Sequence, residues 1–278
     1  SILGALAEAA FPPRPPDRSH WYGRMEEEGC LNADVYAPEC DGGRRPVLVW
    51  LHGGAFAMGS NAEAGEHDAT QLARDHDVVV VCLNYRLGPL GFLHFPEEGA
   101  TNLGIRDQIA GLEWVKGAAA AFGGDPDNVT VVGESAGGAS AMTLVASPRA
   151  RGLFHKAVAL SGAGTWTHSP RTWKQCRAVL ERILGGPLTP AAFSKLPEEA
   201  TGPLVRRTLW NPLGSLGTDA LMWQPYRDGD VLPAEGAPAN PRSIPLLAGV
   251  MADEMQFFHR LGQPRVRTQG VPEEVTGP

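Results

Sequence analysis

Basic residues, cysteines and long apolar runs are all scarce in this sequence, and each shortage excludes something. Lysine and arginine number 24 against 31 aspartates and glutamates, giving a formal net charge of −7 and a pI near 5.6. So acidic a chain has no electrostatic footing for nucleic acid or an anionic membrane surface. No stretch approaches the roughly 20 consecutive apolar residues that span a bilayer. The first ten residues are mildly apolar but carry Glu8 and no basic flank, so they do not read as a signal peptide.

There are four cysteines. Cys30 and Cys40 bracket Leu31–Pro38, which reads as a strand running into a turn. The ten residue steps from Cys30 to Cys40 would cover roughly 33 Å if extended, against about 5.5 Å between the α-carbons of a disulfide. Cys82 lies in an apolar run and Cys176 in a helical pattern. Without a disulfide framework, a reducing and so cytoplasmic setting is expected. No histidine, cysteine and carboxylate group has ligand spacing, so neither a metal nor a cofactor is expected.

What is present points to one large domain over residues 1–278, with hydrophobic residues at 43%. Short runs rich in valine and leucine recur, each ending in a turn of small residues. Pro46–Leu51 leads into His52-Gly53-Gly54-Ala55-Phe56, and Val78–Leu83 into Asn84-Tyr85-Arg86-Leu87-Gly88. Val129–Val132 leads into Gly133-Glu134-Ser135-Ala136-Gly137, Lys156–Leu160 into Ser161-Gly162, and Pro245–Val250 into Met251-Ala252-Asp253-Glu254. These runs do not alternate, as expected of strands buried on both faces. Helical patterns separate them: Ala62–Asp75 with Leu72 and Ala73 inward, Ile105–Ala121 with Ile105, Ile109, Leu112 and Val115 on one face, Gly138–Ala146, and Arg171–Leu184. Strands alternating with helices give an α/β fold, a mostly parallel sheet with helices on both faces. Ligands bind such sheets at the carboxyl ends of the strands, where every one of these turns falls. Residues 185–240 read as an irregular segment over the sheet and 262–278 as a loose tail.

Gly133-x-Ser135-x-Gly137 between a strand and a helix is the pattern of a nucleophile elbow. The serine takes a strained backbone conformation that projects its hydroxyl, and side chains two residues to either side would collide. The following helix turns its positive end toward the reacting oxygen. An ester-attacking serine also needs donors for the developing oxyanion, and closely approaching backbone N–H groups serve. Gly54 and Ala55, with Ala136 from the elbow, fit that role.

The chain resembles the type-B carboxylesterases, the family that includes the cholinesterases. The matching stretches run in order: Gly29–Asn32, Val35–Pro38, Val49–Gly54, Asn84–Leu93, Asn102–Gln108, Ala121–Pro126, Gly133–Gly138, Gly152–Phe154, Ser161-Gly162, Asp228-Gly229 and Leu232-Pro233. The resemblance implies an α/β-hydrolase fold, a small-molecule ester substrate and a triad of serine, glutamate and histidine in that chain order. Its acid maps to Glu254, beside Asp253, although Met255 stands where the family usually has glycine. Ser161 maps to a supporting position near the acid. Trp210, Trp223, Phe257 and Phe258 could line an acyl pocket or belong to the core. In the family the histidine lies about a hundred residues beyond the acid, whereas 24 residues follow Glu254 here. Of eight histidines, His52 belongs to the oxyanion loop. His67, His76, His94, His155 and His168 read as surface turns or helix ends, His20 lies in the Pro-rich entry, and His259 follows the acid on what reads as the far side of a helix. The chain is therefore expected to be C-terminally incomplete relative to the family. Its histidine would come from a missing segment or a partner chain; the rival reading is a hydrolase-like binding scaffold.

Overall fold

The computed structural model describes residues 29–61, 68–162, 164, 166–196, 198–209, 221–235 and 244–254. Met25–Val250 cluster as one compact unit, and Met251–Glu254 fall in a second that is described by itself below. The first strand, β1 (Ala33–Tyr36), is followed by β2 (Arg45–Leu51), helix α1 (Thr70–His76), β3 (Val79–Leu83), the short helix α2 (Gly88–Phe92) and α3 (Leu103–Ala118). Next come β4 (Gly124–Glu134), α4 (Ala136–Ala146), β5 (Lys156–Leu160), α5 (Pro170–Leu184), α6 (Pro190–Phe193), α7 (Glu198–Leu209) and β6 (Leu246–Gly249). The sheet order is β1-β3-β2-β4-β5-β6, with β1 antiparallel to β3 and every other pair parallel.

Register is what assembles a site from distant sequence. Leu51 pairs with both Leu83 and Gly133, Gly133 with Ala159, and Leu160 with Gly249. The carboxyl ends of five strands are thus level, and the chain leaves each of them along one rim. Neighbouring strands stand about 4.8 Å apart, so turns from adjacent strands reach one another directly.

The valine-rich runs are strands because β-branched side chains pack well on a pleated surface. Val47, Val49, Leu51, Val79, Val81, Val129 and Val131 are buried in the main core, with Val80 and Cys82 facing Ala73 on the other side. On α3, Ile105, Ile109, Leu112 and Val115 are all buried, as their helical spacing predicts. Full burial is worth roughly 1.5–3 kcal/mol for each such aliphatic side chain. A capping box starts α5: Ser169 Oγ accepts from Thr172 N–H at 3.1 Å, and Ser169 N–H donates to Thr172 Oγ1 at 2.8 Å. Gly185 at φ 75° closes the helix.

Four expectations need correcting. Leu72 is exposed, and Ala73 alone of the pair faces inward, because a helix this short offers the sheet a single row. Residues 185–240 carry α6 and α7, so the segment is not wholly irregular; Pro190 starts α6, and α7 accommodates Gly202 and Pro203 within it. His94 and His168 lie in the interior, not at surface turns. The fifth apolar run is the least covered strand: Leu246 and Leu247, on opposite faces of β6, are 42% and 65% exposed. An apolar run records that a strand suits a dry environment; whether neighbours supply one is a property of the assembled sheet.

The segment 221–235 packs onto the core through a polar knot. Asn102 donates to Tyr226 O and to Asp228 Oδ2, both at 2.8 Å, and its Oδ1 accepts from Tyr226 N–H at 2.7 Å. Asp228 Oδ2 also accepts from Thr101 Oγ1 at 2.7 Å, while its Oδ1 accepts the N–H groups of Asp230, Val231 and Leu232. Despite the desolvation that opposes it, this hydrogen bonding holds the Asp228 carboxyl below its ordinary range. His94 donates from Nε2 to Gln224 O at 2.9 Å, and His168 from Nε2 to Met222 O at 3.1 Å. No disulfide joins Cys30, Cys40, Cys82 or Cys176. Among the described residues no helix is long and apolar enough to cross a membrane.

Candidate active site

Ser135 stands between β4 and α4 at φ 55° and ψ −119°. An L-residue with positive φ bears a steric cost of about 1–2 kcal/mol, and such strain persists only where the surroundings over-determine it. Here they do. A methyl group added at Gly133 would run into the Gly137 backbone, and one added at Gly137 would strike Leu51 O and come within 2.8 Å of His52 O. At Gly138 it would come within 2.7 Å of Leu160 O. Ser135 N–H donates to Leu160 O at 2.8 Å, tying the turn to β5, and Ser135 O accepts the first helical bond, from Ala139 N–H at 2.9 Å. The Ser135 side chain does not cap α4, so its hydroxyl is not spent on the helix. Eleven residues of helix then place roughly half a positive charge at the start of α4, where Ala136 N–H lies.

The loop after β2 passes directly over the elbow. An ideal β-carbon at Gly53 would sit 3.3 Å from Ser135 Cβ and 2.9 Å from Glu134 Oε2. Gly54, Ala55 and Phe56 follow at φ 106°, 55° and 58°, three consecutive residues in the left-handed region. Gly54 O accepts the N–H groups of Ala57 and Met58, both at 3.0 Å, curling the loop into a tight turn. His52 is buried, its ring stacked on Tyr85 with centroids 4.4 Å apart, and Nδ1 contacts Gly53 O at 2.8 Å. It is part of the loop's frame.

The β3 exit loop, to which the sequence pattern assigns no role, grips the β2 exit loop along its length. Tyr85 Oη donates to His52 O at 2.7 Å, Gly88 N–H to Phe56 O at 2.7 Å, and Asn61 N–H to Asn84 Oδ1 at 2.8 Å. Arg86 backs this grip with a bidentate pair to Asp107 of α3, at 2.8 and 2.6 Å. The Asn84–Gly88 motif and its position at a strand's carboxyl end are the only signals of it in the sequence.

Glu254 belongs to the second unit, in a turn over residues 252–254. Its Oε2 accepts Met251 N–H at 2.6 Å. Asp253 is exposed in the same turn. Ser161 leaves β5 at φ 50°, with its N–H donating to Gly249 O at 2.7 Å. Of the aromatic candidates, Trp223 is core: it is 1% exposed and its Nε1 donates to Thr208 Oγ1 at 3.1 Å. Trp210, Met255, Phe257, Phe258 and the tail from 262 lie outside the described residues, as do His20, His67 and His259. His155 accepts Val129 N–H at Nδ1, at 3.1 Å. His76 is exposed on α1.

A strained serine between a parallel strand and a helix, level with a glycine loop from the adjacent strand, defines an α/β-hydrolase. The chain belongs to the carboxylesterase family, which it matches over residues 7–275. It is 40% identical to the para-nitrobenzyl esterase of Bacillus subtilis over 271 residues, covering 92% of this chain and 54% of that one. To the human bile salt-activated lipase it is 35% identical over 262 residues, covering 86% and 34%. A solved PNB esterase superimposes with a TM-score of 0.71 at 38% identity, covering 89% of this chain and 53% of the other. A carboxylesterase of Geobacillus stearothermophilus gives 0.71 at 39% identity, covering 83% and 50%. The chain thus spans about half the length of the first of these relatives and a third of the second.

Proposed function

We propose that this chain carries the nucleophilic half of a carboxylic-ester hydrolase. Ser135 Oγ attacks the carbonyl carbon of a small-molecule ester, and its proton passes to a histidine base. The N–H groups of Gly54, Ala55 and Ala136 receive the negative charge that develops on the carbonyl oxygen. Collapse of the tetrahedral adduct expels the alcohol, which takes the proton from the histidine, and leaves an acyl-serine. Water repeats the sequence and releases the acid. Glu254 orients the histidine by accepting its second ring proton. That histidine comes from outside these 278 residues, on a further segment or a partner chain. Four of the five described histidines support this division: His94 and His168 are locked to backbone carbonyls, His155 to a β4 amide, and His52 under Tyr85, while His76 is exposed at the end of α1.

The observation that carries the reading is the strained Ser135 beneath the Gly53 loop. A fluorophosphonate probe followed by peptide mass analysis tests it. The expected result is an adduct on Ser135 that Ser135→Ala abolishes. Equal labelling of the alanine variant would remove Ser135 from the nucleophile's role.

A further inference from the structure

We propose that Tyr85 is the positioning residue of the oxyanion hole, setting the spacing between its two donor segments through the His52 carbonyl. The inference rests on the oxyanion-loop reading above. Its basis is that two parts of the molecule meet at one atom. His52 O accepts the Tyr85 hydroxyl at 2.7 Å, and the same oxygen lies against Gly137, where a β-carbon would come within 2.8 Å of it. The peptide that begins at His52 is therefore held from one side by Tyr85 and bounded on the other by the elbow. Gly53, Gly54 and Ala55 follow at once, so wherever that peptide sits, the Gly54 and Ala55 N–H groups are carried with it.

Packing alone does not account for the hydroxyl. Tyr85 is 4% exposed, and a phenylalanine would fill the same volume and keep the stack on His52. A buried hydroxyl is tolerated only when it is bonded, and this one is aimed at the carbonyl beside the nucleophile turn. Burial also pushes the phenol far above its ordinary range, so it remains a donor at every pH at which an ester hydrolase works. The loop it holds needs holding: Ala55 and Phe56 both have positive φ without being glycine. Gly88 and Asn84 secure the later part of the loop, at Phe56 O and Asn61 N–H, and Tyr85 secures its first peptide at His52 O. Arg86, next in sequence, is anchored on Asp107, so the tyrosine works from a fixed base.

Tyr85→Phe is the test, in the full chain, read in two ways. Hydrogen exchange over residues 52–58 should quicken about tenfold in the variant while β3 and α4 keep their protection. The maximal rate of Ser135 phosphonylation should fall about tenfold with the half-saturating probe concentration unchanged, since the loss falls on the transition state rather than on binding. Tyr85→Leu, which also removes the stack, should lower the maximal rate further. An unaltered maximal rate in a variant with a loosened loop would overturn the proposal, and so would unchanged exchange. If the parent does not label at all, the failure lies with the nucleophile or its missing base and not with Tyr85, and the exchange experiment still decides whether Tyr85 holds the loop. In the parent itself the Ala57 and Met58 amides, both bonded to Gly54 O, should be protected. Exchange there at the rate of an open loop would count against Tyr85 whatever the variants do.

Discussion

The carboxyl end of β4 and the outer edge at β6 are two strands apart in one sheet, yet they are built in opposite ways. At Gly133, Gly137 and Gly138, around Ser135, the crowding atoms are all backbone. Leu51 O, His52 O, Leu160 O and the Gly137 main chain crowd the turn so closely that hydrogen is the only side chain admitted at three positions. At β6, Leu246 and Leu247 leave both faces of the strand open to solvent. The first region takes its geometry from contacts among β2, β4, β5 and α4, all within the described chain. The second is held on one side by β5, and Val250 beyond it is 78% exposed. The serine turn and the loop over it are therefore preorganised by main-chain fit, independently of whatever orients a base.

Filling the crowded turn is the most damaging change the contrast predicts. Gly137→Val puts a branched side chain where Leu51 O and His52 O already stand. Overpacking ordinarily costs 1–3 kcal/mol, and here the obstacle is backbone that cannot rotate away, so a loss of about 3 kcal/mol or more is expected. For a domain of this size that lowers the melting midpoint by roughly 6 °C or more. A thermal melt with an unchanged midpoint would show that the turn is not strained as described.

The strands β2 to β5 and the buried face of α3 were legible in the sequence because short valine runs and a 3.6-residue period report burial locally. So was the elbow, since glycines two residues to either side of a serine, between a strand and a helix, mark a turn with no room for side chains. What escaped detection depends on distant partners. Nothing near His94 announces that Gln224 O will meet it, or near Tyr85 that His52 O will, because such pairs are made by topology. The openness of β6 was equally invisible: an apolar run looks the same whether or not neighbours cover it.

The closed side has a weak point of its own, which acid should expose. Burial pushes His94 down to about 3, with the nearby His168 adding to the effect, and burial likewise pushes His168 down to about 4. Both bind protons more readily when unfolded, near pH 6.5. Their neutral, bonded forms therefore contribute full stability above that pH. The contribution is lost as pH falls from about 6.5 toward 4, at up to roughly 1.4 kcal/mol per pH unit for each histidine. The groups facing them are Trp173, Tyr226, Gln224 and the Asp228 carboxylate. Urea denaturation at pH 7, 6, 5 and 4 should show the decline. His94→Asn with His168→Asn should start less stable and decline less steeply over this range. A parent whose stability is flat from pH 6.5 to 4 would contradict the buried, neutral assignment.

The smallest effect belongs to the open edge, and its smallness is the point. Leu247 is 65% exposed, so it has surrendered little of its apolar surface to the fold. At roughly 25 cal/mol for each Å² of apolar surface buried, removing such a side chain forfeits only a fraction of the 1.5–3 kcal/mol that a core leucine supplies. Leu247→Lys should therefore change unfolding free energy by no more than about 0.5 kcal/mol, as surface substitutions do. Charge on an edge strand also discourages pairing between chains, so the same variant should remain dispersed at concentrations where the parent associates. Leu112→Ala, in the buried face of α3, supplies the contrast at about 2–5 kcal/mol. Side-by-side urea melts of the two variants, with light scattering on the first, check both halves. A Leu247→Lys protein destabilised as much as Leu112→Ala would mean that β6 is covered in solution, and the contrast between the two regions would then collapse.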